Sequence, residues 1–278
     1  MAKRFGQNFL VNRRARERVL EELRAEPGMR VWEIGPGIGA MTALALDSGL
    51  AVTAFEIDHG FSRLLGRLFG GNPSFKLVEG DFIDTWKAEL EAAGPPDRIF
   101  GNLPYSSANA IVASVLEGEL VPPRMIFTVQ KEAGLRMIAT PGSKDYSSFS
   151  VLCASACRSK LAFDLGSSSF WPVPRVTSSV VRMEPRRAPI AAGDRVGFSN
   201  FVRAGFSSRR KTLRNNMRAA GDALGRSLGR GDRASIGSVD LGDALLGALA
   251  ALGIRADVRA EALTPEELAA VYEALKRA

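Results

Sequence analysis

The sequence predicts an α/β fold with a doubly wound parallel sheet, followed by a smaller region that is entirely helical. Up to Phe163, short apolar strand patterns alternate with amphipathic helix patterns, as in successive βαβ units. Extended segments ending in TSSVVRMEP then predict strands at the end of the sheet. Beyond Pro185 the pattern is helical only. We therefore expect one domain at residues 1–185 and a second at residues 186–278.

The elements of the first domain follow in chain order. Residues 13–26 predict an amphipathic helix, because Val19, Leu20 and Leu23 recur at helical spacing before Pro27-Gly28. Strands are predicted at MRVWEIG, LAVTAFEID, SFKLVEGDF and DRIFGNLPY. The helices MTALALDSG and FSRLLGRLF separate the first three strands, and the helix ANAIVASVLE leads to a strand at RMIFTVQKE.

The second domain is predicted to contain four helices, at GFSNFVRAGF, TLRNNMRAAGDALG, ALLGALAAL and TPEELAAVYEALKR. The last helix has the clearest start. Thr264 is placed as its N-cap, Pro265 at the first helical position and Glu267 as the partner in a capping box.

Charge is unevenly distributed along the chain. The net charge is +7 over 278 residues, and between Arg186 and Arg218 nine basic residues accompany the single acidic residue Asp194. Such a field suits a polyanionic partner. A solvated basic face explains the imbalance equally well.

The sequence offers little for metal or thiol chemistry. Cys153 and Cys157 are four residues apart, and His59 is the only histidine. Without further histidines this is a poor metal site, so we expect no metal and two small core cysteines. A Cys-His nucleophile is not expected.

No segment predicts secretion or membrane insertion. The N-terminal MAKRFGQNFL has no apolar core, and LGDALLGALAALGI is too short to span a bilayer. We expect a cytoplasmic protein that does not bind membranes.

A glycine-rich loop, EIGPGIG, follows the first strand of the predicted sheet. Gly35 and Gly37 let the backbone turn sharply and approach a ligand. The spacing resembles the S-adenosylmethionine loop of class I methyltransferases, but Gly35, Gly37 and Ala40 also satisfy a dinucleotide pattern. A structural turn is the third interpretation.

Acidic residues follow the next two strands. Glu56 of FEID is placed to accept hydrogen bonds from the ribose of an adenosine ligand, with Ile57 beside it. Asp81 of EGDF is placed to accept from an adenine amine, and Phe82 to cover the adenine ring. Taken alone, Gly80-Asp81 is an ordinary turn.

The GNLPY motif is placed at the carboxyl end of the fourth strand, where open α/β sheets bind ligands. The lone pair of an adenine amine is conjugated into the ring. The Asn102 side-chain oxygen and the Leu103 carbonyl can accept its two hydrogens and so aim that lone pair at a methyl group. Pro104 fixes the turn, and Tyr105 can stack on the base, a contact worth roughly 1–3 kcal/mol.

Two later motifs are also candidates. Phe170 of FWPVPRV is placed as the opposite wall of a base sandwich, although a rigid connection is the simpler interpretation. FSSRRKTLRNNM concentrates cationic side chains that suit RNA phosphates, although a solvated face remains an alternative. The candidate RNA-binding residues are Arg209, Arg210, Lys211 and Arg214.

Together these motifs resemble those of the KsgA-type small-subunit (16S) rRNA adenine dimethyltransferases, from about Arg4 to Leu275. The resemblance implies a Rossmann-like class I methyltransferase fold with a helical C-terminal domain. It implies dimethylation by S-adenosyl-L-methionine of two adjacent adenosines in a hairpin loop near the 3′ end of 16S rRNA. It also implies that the immature small ribosomal subunit is the partner. We expect a monomer.

The resemblance and the motifs together give the candidate site. The candidate cofactor-binding residues are Asn8, Leu10, Gly35, Gly37, Glu56, Ile57, Asp81, Phe82 and Asn102. The candidate catalytic residues are Asn102, Leu103, Pro104, Tyr105 and Phe170. The chain departs from the family pattern at Ser106, where the family usually has Asn, and at Trp171, which replaces a smaller or phenyl residue.

Three alternatives stay open at the level of sequence. An Erm-type enzyme, which methylates large-subunit rRNA, shares the fold and the QNFL and glycine-loop motifs. An NAD-dependent oxidoreductase shares the glycine loop, but the sequence offers no evident acid or base for hydride transfer. A ribosome-assembly factor that acts mainly by binding is the third, and that role does not exclude catalysis.

Overall fold

The computed structural model of the protein describes residues 8–227 and 241–277, so Gln7 of the QNFL motif lies outside the described residues. The strands are β1 (Phe9–Leu10), β2 (Arg30–Ile34), β3 (Ala51–Glu56), β4 (Phe75–Glu79), β5 (Arg98–Asn102), β6 (Arg124–Gln130), β7 (Cys157–Leu165), β8 (Phe170–Trp171) and β9 (Ser178–Pro185).

The helices of the described residues alternate with these strands and then follow them. They are α1 (Arg13–Leu23), α2 (Ala40–Asp47), α3 (His59–Phe69), α4 (Phe82–Ala93), α5 (Ala108–Glu117), α6 (Lys131–Ile138), α7 (Ser148–Ala156), α8 (Arg195–Gly205), α9 (Leu213–Ser227), α10 (Leu241–Ala251) and α11 (Pro265–Arg277).

The main sheet has seven strands in the order β4-β3-β2-β5-β6-β9-β7. The first five are parallel to one another, whereas β9 is antiparallel to both β6 and β7. The strand order reverses between β2 and β5, and such a switch point leaves a crevice at the carboxyl ends of the strands. The predicted α/β class with a mostly parallel sheet is confirmed.

The sheet is buried because its strands carry apolar residues on both faces. In β5 and β6, Ile99, Phe100, Met125, Ile126 and Phe127 are all fully buried. Such continuous apolar runs are typical of parallel strands covered by helices on both sides. The rigid centre of the sheet therefore fixes the positions of the residues that follow β2 and β5.

Three helices of the described residues were not predicted. In α4, Phe82, Trp86 and Glu89 are buried at helical spacing, and Asp81 caps the helix by accepting the Ile83 N–H at 2.9 Å. The predicted third strand therefore ends at Glu79 rather than at Phe82. The other two are α6 and α7, which lie between β6 and β7.

The two cysteines are buried, as predicted, but they do not share a helix face. Cys153 lies in α7, whereas Cys157 is the first residue of β7. The predicted capping box of the last helix is confirmed. The Thr264 N–H donates to the Glu267 carboxylate at 2.8 Å, and the Glu267 N–H donates to the Thr264 hydroxyl at 3.1 Å.

The chain forms two compact units. The first contains residues 1–115, 120–135 and 157–185, and the second contains residues 116–119, 136–156 and 186–278. The helical unit has its own core, in which Tyr146, Phe198, Phe201, Met217 and Tyr272 are buried. The predicted boundary at 185/186 is one place where the chain passes between the units, and the division into domains at residues 1–185 and 186–278 stays a prediction.

Within the described residues, no helix is both long and apolar enough to cross a membrane.

Candidate active site

A cavity of about 270 Å³ lies at the carboxyl ends of the parallel strands. It is lined by residues that follow four strands of the sheet, together with the start of β1 and α5. The lining residues are Asn8, Phe9, Ile34, Gly35, Gly37, Phe55, Glu56, Ile57, Gly80, Asp81, Phe82, Asn102, Leu103, Pro104, Tyr105, Ser106, Ser107 and Ile111. The cavity thus brings together the glycine loop, FEID, EGDF and GNLPY.

The glycine loop takes a backbone conformation that favours glycine. Gly35 and Gly37 have φ values of +68° and +57°. A Cβ atom on Gly37 would lie 2.7 Å from the ring of Phe9, closer than carbon atoms approach one another. The Gly35 N–H donates to the Phe55 carbonyl at 3.0 Å. The loop is therefore held against β3 and the Phe9 ring, with its backbone facing the cavity.

Glu56 connects this loop to the end of β3. Its two carboxylate oxygens accept the backbone N–H groups of Gly37 and Asp58, both at 2.9 Å. The residue is 1% exposed, and burial raises its pKa although these hydrogen bonds favour the charged form. Each oxygen keeps lone-pair capacity for a ligand hydroxyl.

Glu33, on the neighbouring strand β2, is a second buried carboxyl group. The Thr42 hydroxyl donates to its Oε2 at 2.6 Å. Burial raises the pKa of Glu33 to about 8. Unlike Glu56, Glu33 is not among the residues that line the cavity, and its hydrogen bond with Thr42 joins α2 to β2.

The far wall of the cavity is aromatic and apolar. The Phe82 ring packs edge-to-face against Phe55 with 5.0 Å between ring centroids, and against Trp32 with 6.5 Å. Ile57, 40% exposed, lies at the opening. Asp81 uses one carboxylate oxygen to cap α4, so its other oxygen can accept from a ligand.

Asn102 is the last residue of β5, and its amide orientation follows from one contact. Its side-chain Nδ2 donates to the backbone carbonyl of Asn8 at 2.7 Å. Because only the NH₂ end of an amide can donate to a carbonyl, Oδ1 lies at the other end of the group. Among the described residues no donor occupies Oδ1, so it can accept from a ligand in the cavity.

The rest of the turn is held by backbone hydrogen bonds. The Leu103 N–H donates to the Thr128 carbonyl at 3.0 Å, and the Pro104 carbonyl accepts from Ser107 and Ala108 at 3.1 and 2.9 Å. The Leu103 side chain is 1% exposed. The turn between β5 and α5 is therefore rigid on both sides of the Leu103 carbonyl.

Tyr105 is positioned by a residue that the sequence reasoning missed. Its hydroxyl lies 2.7 Å from the hydroxyl of Ser178, the fully buried first residue of β9. Burial raises the pKa of Tyr105, while the hydrogen bond with Ser178 lowers it. The sequence signal was the serine pair in TSSVV, polar residues in an otherwise buried strand.

Leu10 and Phe170 are not brought to the cavity. They are opposite each other in the antiparallel pair of β1 and β8, and both belong to the apolar core, with exposures of 4% and 2%. The physical reason is strand alternation: when Phe9 faces the cavity, Leu10 must face the other side. The expected ring contact of Phe170 with a base therefore has no support from this arrangement.

The four candidate RNA-binding residues have different surroundings. Arg209 donates to the Glu261 carboxylate at 2.7 Å and to the Lys144 carbonyl at 2.6 Å. Arg214 pairs with Asp243 at 2.8 Å. Arg210 and Lys211 are exposed and make no ion pair with any described residue.

The described acidic, cysteine and histidine side chains do not cluster as metal ligands. Across residues 8–227 and 241–277, no group of three or more of them is arranged to hold a metal ion.

Comparisons with known proteins identify the family of the chain. The family model described as ribosomal RNA adenine dimethylase matches residues 1–226. A ribosomal RNA small subunit methyltransferase A from Treponema denticola is 44% identical over 78% of this chain and 75% of its own length. The protein of that name from Pseudomonas aeruginosa is 38% identical over 78% of this chain and 81% of its own length.

Two solved structures share the fold. A dimethyladenosine transferase from Plasmodium falciparum superposes with a TM-score of 0.75 at 22% identity, over 95% of each chain. The 23S rRNA methyltransferase ErmE superposes with a TM-score of 0.60 at 24% identity, over 96% of this chain and 99% of its own. These two likenesses establish the fold alone, whereas the family rests on the sequence matches. The chain belongs to the ribosomal RNA adenine dimethylase family of S-adenosylmethionine-dependent methyltransferases.

Proposed function

We propose that this chain dimethylates the exocyclic amines of two adjacent adenosines in a hairpin loop near the 3′ end of 16S rRNA. It acts as a cytoplasmic monomer on the immature small ribosomal subunit. The observation that carries the proposal is the Asn102 amide, whose NH₂ end is held by the Asn8 carbonyl at 2.7 Å. That contact leaves an oxygen acceptor beside a rigid turn, as an adenine amine requires.

The cavity fits S-adenosylmethionine because each part of that molecule meets a suitable group. Glu56 would accept the ribose hydroxyls, and the second oxygen of Asp81 would accept the adenine amine. Ile57 and Phe82 would contact the adenine faces. The backbone of the glycine loop, where a side chain on Gly37 would collide with Phe9, would border the methionine part. When bound, the cofactor supplies an electrophilic methyl group on a positively charged sulfur.

Asn102 and Leu103 act on the substrate base. Asn102 Oδ1 and the Leu103 carbonyl each accept a hydrogen bond from the amine of the target adenosine. Their pull on these hydrogens draws the nitrogen toward tetrahedral geometry, so that its lone pair leaves the ring system. No general base is required of the protein, because the nitrogen becomes positively charged and acidic as it gains the methyl group and then loses one proton to solvent. Pro104 keeps the two acceptors at a fixed separation.

Tyr105 supplies the surface on which the flipped base stacks. Its hydroxyl is held by buried Ser178 at 2.7 Å, so the ring does not need to be ordered when the base enters. After the first transfer, the monomethylated amine keeps one hydrogen for one of the two acceptors. A cavity of about 270 Å³ open to solvent lets the base reposition for the second transfer.

RNA affinity comes from cationic side chains outside the cavity. Arg210 and Lys211 are the strongest candidates for phosphate contacts, because they are exposed and make no ion pair among the described residues. Arg209 and Arg214 contribute less, since Glu261 and Asp243 already neutralise them.

Incubation with labelled S-adenosylmethionine and either immature small subunits or large subunits tests the proposal. We expect label in the small subunit only, with mapping that finds dimethyladenosine at two adjacent positions near the 3′ end of 16S rRNA. Label in the large subunit alone would overturn the proposal in favour of an Erm-type activity. Small-subunit binding without any transfer would favour a pure assembly factor.

A further inference from the structure

The two-stranded ribbon formed by β1 and β8 presents one aromatic side chain that the methyl-transfer site does not use. Trp171 is 61% exposed, whereas the other two tryptophans, Trp32 and Trp86, are 2% and 1% exposed. Exposed apolar residues that cluster, unlike single ones, mark interaction sites, and Trp171 has exposed apolar neighbours on the same ribbon. Trp171 is therefore the one tryptophan of this chain that is accessible to a partner.

The register of the ribbon places Trp171 beside the cavity. Trp171 is directly opposite Phe9, and Phe170 is opposite Leu10. Leu10 and Phe170 face the core, so strand alternation turns Phe9 and Trp171 to the other side. Phe9 lines the cavity, and side chains directly opposite in an antiparallel pair have Cβ atoms about 5 Å apart.

Packing of the Phe9 ring and a backbone hydrogen bond hold the β1–β8 ribbon in place. Its ring packs edge-to-face on Phe61 with 5.4 Å between centroids and fills the space above Gly37. The Val11 N–H donates to the Ser169 carbonyl at 2.9 Å. Trp171 thus lies on a fixed ribbon, directly opposite the cavity residue Phe9.

The surroundings of Trp171 match a nucleic acid. Val11, Val173 and Val176 are also exposed, by 43%, 64% and 44%, on the segments that continue β1 and β8. Arg175 lies on the same segment, is exposed, and makes no ion pair with a described residue. A flat aromatic ring with apolar neighbours and one unneutralised cation suits an unpaired base and its phosphate.

We propose that Trp171 stacks on an unpaired nucleobase of the RNA adjacent to the adenosine that occupies the cavity. The assignment rests on the proposed function for the position of the target adenosine. It adds a substrate contact just outside the cavity, which holds the neighbouring nucleotide while the target base is inside. Recognition by stacking tolerates any base, so Trp171 favours unpaired loops over paired stems.

Tryptophan fluorescence of the whole 278-residue chain tests the assignment directly, since Trp32 and Trp86 are buried. We expect saturating single-stranded RNA containing adjacent adenosines to quench the emission and to reduce quenching by acrylamide. A fully paired duplex of the same sequence should bind through phosphates and leave the emission unchanged. Equal quenching by both RNAs, or none by the single strand at saturation, would overturn the assignment.

Substitution of Trp171 gives a second readout. Trp171→Ala should lower kcat/KM for rRNA about tenfold, with the Kd for S-adenosylmethionine and the Tm unchanged, and Trp171→Phe should recover most of the loss. Leu68→Ala, which truncates a 56% exposed side chain on α3, is the matched control and should have no effect. Unchanged kcat/KM in Trp171→Ala would overturn the assignment.

The two readouts separate this assignment from the function on which it rests. If the unsubstituted protein transfers methyl groups while Trp171 shows neither effect, the stacking assignment fails alone. If the unsubstituted protein transfers none, the proposed function fails, and the fluorescence measurement still decides whether Trp171 contacts unpaired RNA.

Discussion

The GNLPY turn and the segment from Arg209 to Arg214 use their polar side chains in opposite ways. At the turn, the Asn102 amide is tied down at its nitrogen end by Asn8, which presents the oxygen to the cavity. In the basic segment, Arg209 and Arg214 form ion pairs with Glu261 and Asp243 of the same protein. At the turn, a hydrogen bond orients the Asn102 amide for a ligand. In the basic segment, ion pairs neutralise two of the four candidate RNA-binding residues.

The difference shows what each kind of motif can specify. The turn acts through geometry, because the strand end and the backbone hydrogen bonds fix the positions of two acceptors, Asn102 Oδ1 and the Leu103 carbonyl. The basic segment works by charge, and charge is screened by salt and cancelled by neighbours. We therefore expect changes at the turn to alter the rate of transfer, and changes in the basic segment to alter affinity and its salt dependence.

The largest expected effect is that of Asn102→Ala. Removing one of two preorganised groups at the reacting amine should lower kcat about 10²–10³-fold, while the Kd for RNA changes little. Single-turnover methyl transfer and a filter-binding assay measure the two quantities. Asn72→Ala, at an exposed amide that does not line the cavity, should behave like the unsubstituted protein. Equal loss of binding and rate in Asn102→Ala would show that this residue was given the wrong role.

A smaller effect is expected from Glu56→Gln. An amide in place of the carboxylate leaves the Gly37 or the Asp58 N–H facing a donor and removes the charge near the ribose. The Kd for S-adenosylmethionine should rise about 10- to 100-fold, as measured by calorimetry. Glu79→Gln is the control, because Glu79 ends the adjacent strand opposite Glu56 but is not a cavity residue. Similar affinities for both variants would remove Glu56 from the cofactor site.

In the basic segment, loss of a cationic residue without an ion pair should affect RNA binding more than loss of one that is paired. Neutralising Arg210 and Lys211 together should weaken RNA binding and reduce the slope of log K against log salt concentration by about 1.4. Arg209→Gln should change the slope less and lower the Tm more, because Arg209 holds Glu261 and the Lys144 carbonyl. An unchanged slope in the double variant would place the RNA surface elsewhere on the protein.

The last prediction concerns stability rather than activity, through pH and the buried Glu33. Its pKa is raised from 4.5 to about 8, so the folded protein holds a proton that the unfolded chain releases between these values. The free energy of unfolding should therefore fall as pH rises from about 4.5 to about 8. Glu33→Gln should flatten this decline, as measured by urea unfolding between pH 5 and pH 9. A decline as steep in the variant as in the unsubstituted protein would contradict this role.

Much of the fold was predictable because its signals are local. Apolar runs such as Ile99-Phe100 identify buried strands, and residues that end parallel strands must meet at one edge. The convergence of Gly35, Glu56 and Asn102 follows from that rule alone. The helix α4 carried a readable signal too, since Asp81 precedes apolar residues at helical spacing, but EGDF was interpreted as the end of a strand.

The rest depends on contacts between distant parts of the chain. Pairing of β1 with β8 decides that Phe170 faces the core and Trp171 faces out, and neither segment predicts the other. Likewise, Glu261 and Asp243 are remote in sequence from the arginines that they neutralise. Helix α7 is buried on most of its surface, with Ser150, Val151 and Cys153 all fully buried, so it has no amphipathic pattern to indicate a helix.

The most direct test is a structure of the protein with S-adenosylhomocysteine and a short RNA whose target adenosine occupies the cavity. The distances from the adenine N6 to Asn102 Oδ1 and to the Leu103 carbonyl oxygen show whether these two oxygens accept hydrogen bonds from the target amine. We expect both within about 3.2 Å, with Nδ2 still donating to the Asn8 carbonyl. An adenosine bound in the cavity whose N6 meets neither oxygen would contradict the account.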